Sequence, residues 1–92
     1  MSERTAIVTG GAQGIGLGIT RKLLEKGHRV AVWDRDSKAL AALPEVLGSA
    51  SDRVFGQEVD VTDGAGVTDA VAALSDRWSA PDTLVNNAGI AR

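Results

Sequence analysis

Cysteine and tyrosine are absent from this 92-residue chain, and histidine occurs once, as His28. Without cysteine there is no disulfide, no thiolate nucleophile and no cysteine-ligated metal, and a single imidazole excludes a histidine-rich zinc site. Aromatic residues make up only 3% of the chain (Trp33, Phe55 and Trp78), few for walling off a substrate pocket. An excess of positive charge is missing too. Ten Lys and Arg stand against twelve Asp and Glu, a formal net charge of -2, which gives no reason to expect nucleic acid or an anionic membrane as partner. No apolar run approaches the roughly 18 residues that would mark a bilayer span. The polar opening residues lead at once into an apolar strand and leave no room for a secretory signal peptide. A cytoplasmic protein of at most one small domain is the expectation, with a thin stability margin because short chains bury a modest share of their surface.

What the chain does contain is an alternation of two hydrophobic periods. Ala6-Ile7-Val8 is a short apolar run ending at Gly10-Gly11, the signature of a buried strand. Ile15, Ile19 and Leu23 then recur at four-residue spacing, which predicts a helix with those three on its inner face. Gly27 stops that helix, with Lys26 and His28 beside the negative end of its dipole. Residues 30–33 (VAVW) form a second buried strand closed by Asp34, after which Asp36 or Ser37 caps a helix carrying Leu40, Leu43 and Leu47. Pro44 falls inside that pattern and is expected to end or kink the helix. A third strand covers residues 54–59 and closes at Asp60. Thr62 or Asp63 then caps a third helix with Val67, Val71, Leu74 and Trp78 on one face. Pro81-Asp82 punctuates the chain before a fourth strand, Thr83-Leu84-Val85, which runs into Asn86-Asn87-Ala88-Gly89. The order β-α-β-α-β-α-β demands parallel strands with right-handed crossovers. The fold class is thus α/β, with a doubly wound parallel sheet.

The chemistry concentrates in residues 9–16 (TGGAQGIG), between the first strand and the first helix. A pyrophosphate needs a turn that lets backbone come close, followed by a helix whose N–H groups point at the anion. Gly10 turns the chain off the strand, Gly14 lets the backbone approach the phosphates, and Gly16 permits close helix–strand packing. Glycines at three fixed offsets are poorly explained as a mere loop. Asp34 stands at the tip of the second strand, where an acid can accept hydrogen bonds from both hydroxyls of an adenosine ribose and repel a 2′-phosphate. Its alternative role is helix capping, which Asp36 could fill instead. Arg35 cuts across this reading, because a guanidinium there could pair with a 2′-phosphate. Asp60 and Val61 follow the third strand beside the expected adenine. There the carboxylate could accept from the adenine amino group and the Val61 N–H could donate to the ring, or Asp60 could simply cap the next helix. Asn86 and Asn87, at the end of a strand, could cross-link neighbouring loops as readily as touch a ligand.

Taken in order, TGGAQGIG, Asp34, Asp60-Val61 and Asn86-Asn87-Ala88-Gly89 resemble the short-chain dehydrogenase/reductase family over the whole chain. The turn fits that family's TGxxxGxG pattern better than the GxGxxG of other dinucleotide-binding enzymes. The resemblance implies that Gly10, Gln13, Gly14, Ile15 and Gly16 hold the cofactor's pyrophosphate side and that Asp60 and Val61 meet adenine. Asn87, Ala88 and Gly89 would brace the sheet and line the cleft. It also implies NAD, since Gln13 stands where members preferring NADP often carry a basic residue and Asp34 where members preferring NAD often carry an acid. Arg35 keeps NADP open. The activity implied is NAD(H)-dependent interconversion of a secondary alcohol and a ketone, with a 3-oxoacyl thioester among the possible substrates.

The family's catalytic Asn, Ser and Tyr-x-x-x-Lys lie beyond the matching segment, so no residue here takes a catalytic role by resemblance. Ser75 and Ser79 are expected to face solvent at the end of the third helix. The resemblance therefore implies a Rossmann-type sheet truncated to four strands in the order 3-2-1-4. Residues 1–92 are expected to be the N-terminal part of a single NAD(P)-binding domain, inactive alone, with the fourth strand left as an exposed apolar edge. The complete enzyme is expected to be a homo-oligomer acting on a small ketone or alcohol. Two competing readings stand beside this one. One is a dinucleotide-binding module with no chemistry of its own. The other is an S-adenosylmethionine-dependent methyltransferase, which shares the glycine turn and the acids but usually wants an acid where Thr9 stands.

Overall fold

The computed structural model describes residues 4–87, and it forms an open parallel sheet with helices on both faces. The elements in chain order are β1 (Thr5–Thr9), α1 (Gly14–Glu25), β2 (Arg29–Asp34), α2 (Ser37–Leu47), β3 (Val54–Glu58), α3 (Gly64–Arg77) and β4 (Thr83–Asn86). A 3-10 segment, Gly48–Arg53, links α2 to β3 and was not foreshadowed by the hydrophobic pattern. The strand order is β3-β2-β1-β4, every pairing parallel, as the alternation of periods requires. Ile7 lies opposite Ala31 on β2 and opposite Leu84 on β4.

Two apolar layers follow from the strand alternation. Val8, Val30 and Val32 face α1 and α2 and pack with Leu24 and Leu43. Ile7, Ala31 and Trp33 face the other way, onto Ala70 and Leu74 of α3. Both faces of β1 and β2 are thus covered, which is why they read as continuous apolar runs. Trp33 adds a polar anchor. Its Nε1 donates to Gln57 Oε1 at 2.8 Å, and Gln57 Nε2 donates in turn to the Ala70 carbonyl at 3.0 Å, tying β2, β3 and α3 together.

The inner face of α1 is displaced by one position from the expected one. Its buried residues are Gly16, Thr20 and Leu24, whereas Ile15 is 74% exposed and Ile19 and Leu23 are only partly buried. The reason is the close contact at Gly16. Once that residue is pressed on the turn, the helix phase is fixed and Ile15 points outward. At the other end the Gly27 N–H donates to the Leu24 carbonyl and the His28 N–H to the Leu23 carbonyl, the paired bonds of a Schellman ending.

Asp36 caps α2, accepting from the N–H groups of Lys38 and Ala39, and Asp63 caps α3 through the Gly66 N–H. Pro44 does not end α2, although that is one of the two outcomes expected of it. The helix continues to Leu47 because Leu43 and Leu47 bracket the proline and both pack on the sheet, which offsets the lost hydrogen bond. The chain leaves the helix at Gly48 instead.

Candidate functional site

The C-terminal ends of the four strands form one edge, and the strand order reverses there between β1 and β4. Open α/β sheets bind ligands at such a switch point. The glycine turn sits in it. Gly10 and Gly14 have φ of 65° and 59°, the left-handed region. A Cβ at Gly14 would meet nothing within 4 Å, so the turn is open on the side where a ligand would come. Gly16 is the opposite case: a Cβ there would fall 1.9 Å from the Gly10 carbonyl oxygen, so only glycine lets α1 begin this close to β1.

Four side chains fix the turn from behind. Asn87 Nδ2 donates to the Gly10 carbonyl at 3.3 Å, and Thr20 Oγ1 donates to the Gly11 carbonyl at 3.2 Å. Thr9 Oγ1 lies 3.2 Å from Asn86 Oδ1 and 3.3 Å from the Val85 carbonyl, joining β1 to the end of β4. Asp34 Oδ2 accepts from the Ala12 N–H at 3.2 Å. The Thr9–Asn86 contact is the cross-linking role read as one alternative for Asn86. Thr20, inside α1, escapes a glycine-centred reading.

The helix behind the turn differs from its two neighbours. Both α2 and α3 carry an aspartate cap, whereas the Gln13 side chain makes no cap bond to α1 and the first turn of α1 holds no acid. The N–H groups that begin any helix lack intrahelical partners, and Gly14, the first residue of α1, has open space where a Cβ would stand. Backbone donors, the positive end of a helix dipole and an open glycine form a donor set suited to pyrophosphate. The residues present fit that group.

Asp34 and Asn87 are each only 9% exposed, and Asp34 Oδ1 also accepts from the Asp36 N–H at 3.0 Å. The carboxylate therefore lies in a bed of two backbone donors, one from each loop, and each oxygen keeps lone pairs for further donors. It is Asp36, not Asp34, that caps α2. On the far side of Asp34, a cleft of about 480 Å³ is lined by Arg35, Glu58, Val59, Asp60 and Asp63. Asp60 Oδ1 accepts from the Thr62 hydroxyl at 2.6 Å and from the Thr62 N–H at 2.9 Å. Those bonds, aided by the charge of Arg35, hold its carboxyl below the usual carboxylate range. Asp60 thus braces the turn before α3 while lining the cleft, and Val61 beside it is exposed. Ile15, Gln13 and Arg35 are exposed around the rim. Ala88 and Gly89, two of the expected cofactor contacts, lie outside the described residues.

Among the described residues no cluster of three or more His, Asp and Glu could hold a metal ion, and no helix is long and apolar enough to cross a membrane. Ser79 is exposed as expected but not idle. Its Oγ sits 3.2 Å from Thr5 Oγ1 and 3.2 Å from an Arg29 guanidinium nitrogen, at the opposite edge of the sheet from the glycine turn. A second cavity of about 410 Å³ runs between α2 and β3 along the sheet's outer edge, lined by Leu40, Pro44 and Val54 among others. It includes no residue of the glycine turn.

Residues 4–92 match the family model described as short chain dehydrogenase. A 3-oxoacyl-[acyl-carrier-protein] reductase from Chlamydia pneumoniae is 42% identical over 89 residues, covering 97% of this chain and 36% of the relative. An NADP-dependent 3-hydroxy acid dehydrogenase from Shigella flexneri is 38% identical over 85 residues, 92% of this chain and 33% of its own length. Among solved structures, an actinorhodin polyketide ketoreductase with NADPH superposes with a TM-score of 0.85 at 36% identity, covering 95% of this chain and 34% of that one. The chain spans about a third of the length of the proteins it matches. With the glycine turn, the doubly wound sheet and these relatives in agreement, the chain belongs to the short-chain dehydrogenase/reductase family of oxidoreductases and represents its N-terminal part.

Proposed function

We propose that this chain is the cofactor half of an NAD(H)-dependent oxidoreductase that interconverts a secondary alcohol and a ketone. The observation that carries the reading is the joint geometry of the open glycine turn and the buried Asp34 carboxylate beside it. When bound, the dinucleotide supplies the hydride, and this chain's residues bind and orient it. The N–H groups at the start of α1 meet the pyrophosphate, with Gly10, Gly14 and Gly16 giving access. Asp34 accepts from the ribose hydroxyls, while Asp60 and Val61 border the adenine. Asn87 would close the cleft behind it, and the resemblance to the family adds Ala88 and Gly89 as cofactor contacts.

NAD is preferred over NADP because Asp34 places a full negative charge, buried on its protein side, where a 2′-phosphate would bring about two more. Arg35, the residue that favours NADP, shares its cleft with Glu58, Asp60 and Asp63, and its field already acts on Asp60. A relative named as a 3-oxoacyl-[acyl-carrier-protein] reductase and a structural neighbour named as a polyketide ketoreductase support a 3-oxoacyl thioester or similar ketone as substrate of the complete protein. A cytoplasmic homo-oligomer belongs to the same reading on the strength of the sequence and the family resemblance alone.

The 92 residues contain no tyrosine to act as the proton donor, so binding and turnover should separate. Titrating the 92-residue polypeptide with NADH, alongside a ketone panel, is expected to give saturable binding and no oxidation of NADH. Turnover by this polypeptide would overturn the division of labour. Absence of turnover in a longer chain that includes the following residues would favour a pure binding module.

A further inference from the structure

Thr20 stands outside the pattern at residues 9–16, yet it reaches back into that turn. Its side chain is fully buried, and Oγ1 donates to the Gly11 carbonyl at 3.2 Å. A threonine inside a helix commonly gives its hydroxyl to the carbonyl one turn back or to solvent. This one crosses to the segment that precedes the helix. The fit is tight, because a Cβ at Gly11 would lie 3.0 Å from Thr20 Oγ1 and 3.0 Å from both Val8 Cγ1 and the Val8 carbonyl oxygen. The Gly11 carbonyl shares its peptide group with the Ala12 N–H, which donates to Asp34 Oδ2 at 3.2 Å. A trans peptide is a rigid plane whose C=O and N–H point opposite ways. Bonds at both ends therefore pin that plane against rotation. The peptides before it are held too, through the Gly10 N–H on the Trp33 carbonyl at 2.6 Å and the Gly10 carbonyl on Asn87 Nδ2 at 3.3 Å.

We propose that Thr20 is a positioning residue for cofactor binding, whose hydroxyl sets the peptide between Gly11 and Ala12 before a dinucleotide arrives. This rests on the reading of the turn as a dinucleotide cradle. Without the hydroxyl the Gly11 carbonyl is left buried with its hydrogen bond unmade, and rotating the peptide relieves that cost. The same rotation swings the Ala12 N–H off Asp34 and moves the backbone that leads to Gly14. A dinucleotide then binds only the fraction of molecules whose turn is correctly set, and its apparent affinity falls by that fraction. The effect belongs to the backbone of the turn. It weakens NADH and NADPH alike and leaves the choice between them unchanged.

Calorimetric titration of the full chain with NADH and with NADPH, beside hydrogen exchange of the Ala12 amide, tests this in T20V, T20A and T20S. T20V keeps the side-chain shape and loses the hydroxyl, and T20A does the same with better helix propensity, which guards against a failure to fold. Leu74→Val is the control, a core truncation on the opposite face of the sheet that lowers stability without touching the turn. T20V and T20A are expected to bind both dinucleotides about five- to tenfold more weakly, the range set by losing the bias of one hydrogen bond, with faster Ala12 exchange. T20S, which restores the hydroxyl, is expected to stay within about twofold of wild type, and Leu74→Val to bind as wild type does. Folded T20V and T20A that bind like wild type, a T20S as weak as T20V, or an equal loss in Leu74→Val overturns the Thr20 assignment and leaves the cradle untouched. A wild type that binds neither dinucleotide overturns the cradle reading, and this one with it.

Discussion

Gly16 shows what a single residue decides in this molecule. Its hydrogen stands where a Cβ would collide with the Gly10 carbonyl oxygen and approach Asn87 Nδ2 to 2.7 Å, so β1, α1 and the end of β4 meet at one point. Gly16→Ala must move backbone rather than a flexible side-chain end. We expect a loss of about 1–3 kcal/mol in chemical denaturation, with weaker NADH binding because the turn shifts. An unchanged melting temperature would show that the contact has slack. Asp60 makes a different residue-scale prediction. Its folded pKa is depressed by Thr62, so the stabilisation is complete above the ordinary value of 3.8 and disappears as pH falls through the lower folded value. Thr62→Val removes the stronger, hydroxyl bond. The Asp60 carboxyl, followed by NMR titration, should then titrate closer to its ordinary value. An identical titration curve in the variant would remove the Thr62 hydroxyl as the main cause.

At the scale of elements, the positions of strands and helices were largely legible because period two and period 3.6 differ sharply in this chain. Val8, Val30 and Val32 on one side, with Ile7, Ala31 and Trp33 on the other, read as buried strands, and they are. Where the reading slipped, a tertiary contact overruled a local rule. Ile15 fits the helical stripe with Ile19 and Leu23, yet the closeness of Gly16 to the turn rotates α1 so that Thr20, a polar residue, takes a fully buried place. Its hydroxyl is satisfied by the Gly11 carbonyl, which no single-residue propensity announces. Pro44 is expected to end or kink α2; it does not end it, and packing of Leu43 and Leu47 carries the helix past it. The acids fared unevenly for a physical reason. Asp34, Asp36 and Asp60 are alike in sequence, and only the geometry separates a carboxylate bedded between two loops from a helix cap and a turn brace.

The whole molecule has a covered centre and one exposed flank. β1 and β2 are enclosed on both faces, whereas β4 pairs only with β1 among the described residues, and its Leu84 is 64% exposed. An apolar strand edge with no partner is a template for pairing with another chain. The 92-residue polypeptide is therefore expected to self-associate in sedimentation velocity, with Leu84→Lys shifting the distribution toward monomer. A monodisperse, cooperatively melting wild-type monomer would contradict that expectation. The 92 residues carry the glycine turn proposed to hold a dinucleotide but no tyrosine with which to move a proton.

The central claim is that the turn at residues 9–16 and Asp34 together hold NAD(H), and calorimetric titration of wild type and Asp34→Ala with NADH tests it most directly. The wild type is expected to bind one NADH per chain, and the variant to lose affinity by about tenfold or more, the scale of losing charge-assisted hydrogen bonds to two hydroxyls. Equal NADH affinity in wild type and Asp34→Ala, or no saturable heat from the folded wild type, would contradict it.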